Sequence, residues 1–160
     1  MSCAAIGTAV FFVVAPGTMA GLVPWLITDW ADPRGGVLGV LGVALVLGGL
    51  AVVVACFARF ATEGRGTPAP VAPTEQLVVG GIYRFIRNPM YVGVFAMIAG
   101  QALLFRSPGT ALWSVVFLAT TATFVVLYEQ PQLQQQFGES YERYRKAVPG
   151  WWPRLTPYRG

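Results

Sequence analysis

Four stretches of this chain contain no Asp, Glu, Lys or Arg: Met1 to Thr28, Gly35 to Ala58, Asn88 to Phe105 and Ser107 to Tyr128. An apolar helix needs about 20 residues to cross a bilayer core, so the pattern predicts an all-α integral membrane protein. Its four spans fall at about 8–27, 36–57, 88–105 and 109–128. The third is near the short limit and crosses if it is little tilted or if the bilayer thins beside it. Span one carries Pro16, Gly17 and Pro24, which predicts a kinked helix whose freed carbonyls are satisfied by its neighbours. Span two carries Gly35, Gly36, Gly39, Gly42, Gly48 and Gly49. Of these, Gly35, Gly39 and Gly42 share helical spacing and would let another backbone come close, although glycine is also simply frequent in membrane helices. Polarity rises at Glu129, and Pro131 fits the first turn of a new helix. From there Leu133, Phe137, Tyr141, Tyr144 and Val148 form one apolar stripe. That C-terminal amphipathic helix is expected on the membrane surface or folded back over the bundle.

Composition agrees with this pattern. Of 160 residues, 55% are hydrophobic and 11% charged, and the mean hydropathy is +0.58. The net charge of +4 matters less than its distribution. Four spans place Arg59, Arg65, Arg84, Arg87, Arg143, Arg145, Lys146, Arg154 and Arg159 on one side, and Arg34 and Arg106 alone on the other. The positive-inside tendency then makes both termini cytoplasmic. No basic residue precedes the first apolar run, so it reads as a retained span rather than a signal peptide. Cys3 and Cys56 define neither a disulfide frame nor a metal site. The absence of histidine removes histidine bases and most zinc sites, and no metal or nucleic acid is expected. The chain reads as a single membrane domain, 1–160, with connector 59–89 and C-terminal segment 129–153. The connector contains TEGRGTPAPVAPTEQ, extended or turn-like.

That connector leads into LVVGGIYRFIRNPMYVG, and one helical hairpin later comes EQPQLQQQFGESYERYRKAVPGWWP. Together these resemble the isoprenylcysteine carboxyl methyltransferase and phospholipid methyltransferase superfamily of membrane enzymes. Gly81, Tyr83, Arg87, Pro89 and Tyr91 match the family's first segment. Glu129, Leu133, Phe137, Gly138, Tyr141, Tyr144, Val148 and Pro149 match its second. The likeness runs from Leu77 to Pro153, while spans one and two match only in being apolar. Two positions depart: Asn88 stands where the family has His, and Gln130 where it has a second Glu. An amide keeps hydrogen-bonding capacity but exchanges no proton at neutral pH.

The resemblance implies methyl transfer from S-adenosylmethionine to a lipophilic acceptor, a carboxylate or an amine, at the cytoplasmic face of a bacterial-type membrane. It implies a cofactor site of Leu77, Gly81, Tyr83, Arg87, Asn88, Pro89, Tyr91, Glu129, Gln130 and Leu133, with Arg87 and Glu129 as the catalytic pair. Arg87 would take the cofactor's carboxylate, Glu129 a ribose hydroxyl or the ammonium, and Tyr83 and Tyr91 the adenine or sulfonium. Membrane lipids are the other expected partners, and the sequence leaves the oligomeric state open.

Other readings stand beside these. Asn88 and Pro89 fit an N-cap and first-turn pair. Arg84 and Arg87 fit headgroup anchors, Tyr141 and Tyr144 packing residues, and Trp151, Trp152 and Tyr158 an interfacial belt. Two functional alternatives remain. One is a nicotinamide-dependent reductase of the sterol reductase type, usually a longer chain; the other is a catalytically silent lipid-binding relative.

Overall fold

The computed structural model describes residues 14–62 and 76–159. The start of span one, Cys3, Arg65 and most of the Gly/Pro-rich connector lie outside the described residues. Within them the chain is all-helical, with no strand. The helices are α1 (Val14–Thr28), α2 (Val37–Thr62), α3 (Pro89–Phe105), α4 (Pro108–Phe137) and α5 (Glu139–Ala147). A short 3-10 turn, Gly81–Arg84, precedes α3.

Two helices are long and apolar enough to cross a membrane by length and composition, Val37–Arg59 and Pro108–Phe137; α1 and α3 are shorter apolar helices. In both long helices only 22% of the most apolar window is buried inside the molecule. Side chains such as Val37, Val40, Leu47, Leu112 and Val115 point outward. A helix that is apolar all round yet mostly unburied by protein has lipid as its natural surrounding.

The short helix α3 is the hub, packed between α2 on one side and α1 and α4 on the other. Glycine makes its approach to α2 possible. A Cβ on Gly42 would lie 2.6 Å from the Gly100 carbonyl oxygen, and one on Gly49 would collide with the Gly93 carbonyl oxygen. The pairs 42/100 and 49/93 are seven residues apart on each helix, so two antiparallel helices meet twice on one seam. Of the three glycines singled out by spacing, Gly42 alone serves this contact; Gly35 has open space, and Gly39 packs on its own N-terminal turn at Arg34.

The prolines act through helix pitch. A proline lacks the N–H of the ladder, and its ring crowds the carbonyl four residues back. In α1 a π turn over Thr18–Leu22 ends just before Pro24. In α4 a π turn over Val125–Glu129 ends just before Pro131. The wider turn takes up the crowding. Pro24 frees the Ala20 carbonyl, and Gln101 of α3 donates to it from Nε2 at 2.6 Å while its Oε1 accepts from Trp30 Nε1 at 3.0 Å. The expected satisfaction of span-one carbonyls by a neighbour is thus met by one buried amide.

Pro131 does not open a new helix, contrary to the sequence reading. The widened turn absorbs it, and α4 runs on to Phe137. The break comes at Gly138, whose φ of 53° favours glycine. The apolar stripe is therefore folded into a corner. Tyr141, Tyr144 and Val148 are buried together, with Leu133 and Phe137 from α4 and Leu77, Val79 and Tyr158 packed around them. The amphipathic segment spends its apolar face inside the molecule.

Basic residues separate by end. Arg34 N–H donates to the Leu104 carbonyl at 2.8 Å and Arg106 Nη2 to that of Gly35 at 3.5 Å, joining the α1–α2 and α3–α4 loops. Arg59 lies at the other end, its side chain filling the space a Cβ on Gly81 would need.

Candidate functional site

The N-terminus of α3 is held by the segment that follows α5. Residues 148–158 wrap along residues 84–88. Arg87 N–H donates to the Pro149 carbonyl (2.9 Å), Asn88 N–H to that of Gly150 (3.1 Å), Arg154 N–H to that of Phe85 and Tyr158 N–H to that of Arg84 (both 2.9 Å). Side chains reinforce the strap. Arg87 Nε donates to the Val148 carbonyl at 2.8 Å, Arg84 Nε to that of Tyr158 at 2.8 Å, and the Tyr144 hydroxyl to that of Tyr83 at 2.7 Å. These backbone groups pair by tertiary contact, since no helix or sheet supplies partners.

The strap sets the orientation of Arg87 and Asn88. Arg87 Nη1 reaches the Tyr141 hydroxyl at 3.5 Å, and its charge bears on Glu129, Tyr141 and Tyr144. Burial pushes the Tyr141 phenol up and the Arg87 guanidinium pulls it back. Burial likewise raises the Tyr144 and Tyr83 phenols, so both stay protonated at neutral pH. One turn along α3, the Tyr91 hydroxyl donates to Glu129 Oε2 at 3.0 Å, and its ring lies 6.4 Å from that of Trp151.

Asn88 is 7% exposed, and its Nδ2 has no hydrogen-bond partner among the described residues. It occupies the N-cap position, but its side chain does not cap the helix. The expected cap is thus corrected. Pro89 is buried in the first turn, as expected, while true side-chain capping occurs at α4, where Ser107 Oγ accepts from Thr110 N–H at 3.2 Å. An orphaned buried donor is costly. Here it sits beside Gly150, where a Cβ would come 3.3 Å from Asn88 Nδ2 and 3.4 Å from Arg87 Nη2.

Arg87, Asn88, Tyr91 and Glu129 therefore converge, with Gln130 half-buried beside Glu129. The other expected residues lie apart. Leu77 and Leu133 pack in the Tyr141 cluster. Tyr83 is buried against Cys56, to which its hydroxyl hydrogen-bonds. Gly81 (φ 55°) lies on Arg59. Gly150, Trp151 and Tyr141 join the site without having been picked out for it. Tyr158, expected in an interfacial belt, instead packs edge-on against Tyr144 at 5.5 Å; Trp152 is 68% exposed, as a belt residue would be. The ensemble offers donors on one edge, a carboxylate on the other and two aromatic faces. That set complements a small molecule bearing both a carboxylate and a cation or hydroxyls.

The sequence pattern of the phospholipid methyltransferase family matches residues 37–140. It takes in α2, which the motifs alone left aside. The chain is 41% identical over 80 residues to a protein-S-isoprenylcysteine O-methyltransferase of Schizosaccharomyces pombe, covering 49% of this chain and 34% of that protein. A second enzyme of that name, form B of Arabidopsis thaliana, is 30% identical over 75 residues, 47% of this chain and 38% of the other. A phosphatidylethanolamine N-methyltransferase of Yarrowia lipolytica is 33% identical over 66 residues, 41% of this chain but 7% of the other. The chain thus spans little more than a third of these relatives at most. No solved structure matches it significantly. With the family pattern covering most of the chain, from α2 through the start of α5, this protein belongs to the phospholipid methyltransferase family.

Proposed function

We propose that this protein is an integral membrane enzyme of four spans. In this reading it transfers a methyl group from S-adenosylmethionine to a lipophilic carboxylate or amine at the cytoplasmic face. The observation that carries it is the pairing of a buried, unpartnered donor, Asn88 Nδ2, and the Arg87 guanidinium with the Tyr91–Glu129 hydrogen bond across from them. Arg87 and Asn88 would hold the methionyl carboxylate, Glu129 the ammonium or a ribose hydroxyl, and Tyr91 and Trp151 the adenine or sulfonium face. The bound cofactor supplies an electrophilic methyl on a good leaving group. The chain then has to align donor and acceptor and exclude water. The strap over Arg87 and Asn88 serves both needs. A carboxylate acceptor arrives already nucleophilic, so neither the missing histidine nor Gln130 impedes it. An amine acceptor must lose a proton, for which Glu129 is the carboxylate at hand.

Purified protein is expected to be stabilised against heat by S-adenosylhomocysteine, and Glu129→Ala is expected to abolish the effect. Membranes containing the protein, incubated with labelled S-adenosylmethionine, should transfer label to a lipid fraction. No stabilisation at millimolar ligand and no labelled lipid would refute the reading.

A further inference from the structure

We infer that Pro131 is a positioning residue for Glu129, acting through the π turn that precedes it; this rests on the methyltransferase reading above. The inward face of α4 is marked by Thr110, Ser114, Phe117 and Val125, all buried. At roughly 3.6 residues per turn, position 128 lies about five whole turns beyond Thr110. A uniform α-helix would therefore turn Tyr128 inward and carry Glu129 roughly 80° off that face. The structure has the reverse. Tyr128 is 47% exposed and stacks on the outward Phe124 at 5.1 Å. Glu129 is half-buried with its carboxylate on the Tyr91 hydroxyl.

The difference is one surplus residue, housed in the π turn Val125–Glu129, where Gln130 N–H donates to the Val125 carbonyl. Pro131 gives the reason the surplus stays there. With no N–H of its own and a ring that crowds the Leu127 carbonyl, it disfavours closure into α geometry. Pro24, behind the π turn of α1, is the second instance of this arrangement in the same chain. Without Pro131 the helix is free to tighten, which swings Glu129 out of the site and Tyr128 in.

The test uses Pro131→Ala, alone and combined with deletion of Leu127, which is 73% exposed within the π turn. The first variant is expected to bind S-adenosylhomocysteine about tenfold more weakly, the loss of a charged hydrogen bond, with no fall in the melting temperature of the ligand-free protein. Deleting Leu127 as well removes the surplus, so a uniform helix again points Glu129 inward and affinity returns to within about threefold of the parent. A readout without ligand accompanies it. Tyr91→Cys and Glu129→Cys together, in a Cys3→Ser background, should be joined by a short bifunctional thiol reagent with α4 otherwise unchanged and in the deletion variant, and poorly with P131A alone. Parental binding and cross-linking in P131A would overturn the inference, as would a deletion variant as weak as P131A. If P131A misfolds, recovery of fold by the deletion supports the register argument and misfolding of both overturns it. If the Tyr91→Cys/Glu129→Cys protein cross-links as expected but the unsubstituted protein binds no S-adenosylhomocysteine, the methyltransferase reading is overturned and the register result stands.

Discussion

Asn88 shows what a single side chain costs and what it could give. Its amide is buried with a donor unpaired, a loss on the order of 1–3 kcal/mol that folding alone does not justify. Asn88→Leu, which keeps the branching of the side chain without its polar atoms, is therefore expected to raise the melting temperature of the ligand-free protein while weakening S-adenosylhomocysteine binding. Calorimetry on the two proteins checks both halves, and a lower melting temperature in the variant would make Asn88 structural. At this scale the sequence was only partly legible. Arg87 and Glu129 were picked out by the family motif they match, since the charge pattern alone suits a headgroup anchor and a solvated helix end. Asn88 was named both for the cofactor site and as a helix cap, because Asn before Pro opens a helix whichever way its amide points; its unpaired donor beside Gly150 is visible only in the packing. Trp151 was hidden for a similar reason. Tryptophan near a span end suits an interfacial belt as well as a pocket wall, and its approach to Tyr91 depends on a strap with no periodicity to read.

Among elements, the α2–α3 seam makes the sharpest demand. A side chain on Gly49 meets the Gly93 backbone and Met97, whereas one on Gly48 meets nothing within 4 Å. Gly49→Val is expected to cost about 2–3 kcal/mol by overpacking, and Gly48→Ala to change stability by less than about 0.5 kcal/mol. Thermal unfolding in detergent compares them, and equal effects would mean that the helices do not meet at this seam. The apolar runs gave away that these helices exist, since length without charge is a strong signal. Their joints were harder to foresee. Pro131 after a rise in polarity looks like a helix start, but a π turn lets a proline sit inside a continuous helix, and the true stop was the positive φ of Gly138.

For the molecule as a whole, the loops bearing Arg34 and Arg106 meet at one end of α3, and the strap with Arg84, Arg87 and Arg154 lies at the other. In a Cys3→Ser background, where Cys56 is buried, the single substitutions Ser107→Cys and Arg154→Cys should react with a membrane-impermeant maleimide from opposite sides of sealed vesicles. Labelling of both from one side would rule out the four-span arrangement. The motifs signalled both halves of the candidate site and ran on to Pro153, but not the backbone pairing of Arg154 and Tyr158 with Phe85 and Arg84.

That dependence has a consequence for biosynthesis. The strap is translated after every helix it holds, so a bundle already inserted in the bilayer still lacks the carbonyls that aim Arg87 and Asn88. If the helices insert in a bilayer as proposed, the mouth at Arg87 and Asn88 can close only after residues 148–158 have left the ribosome.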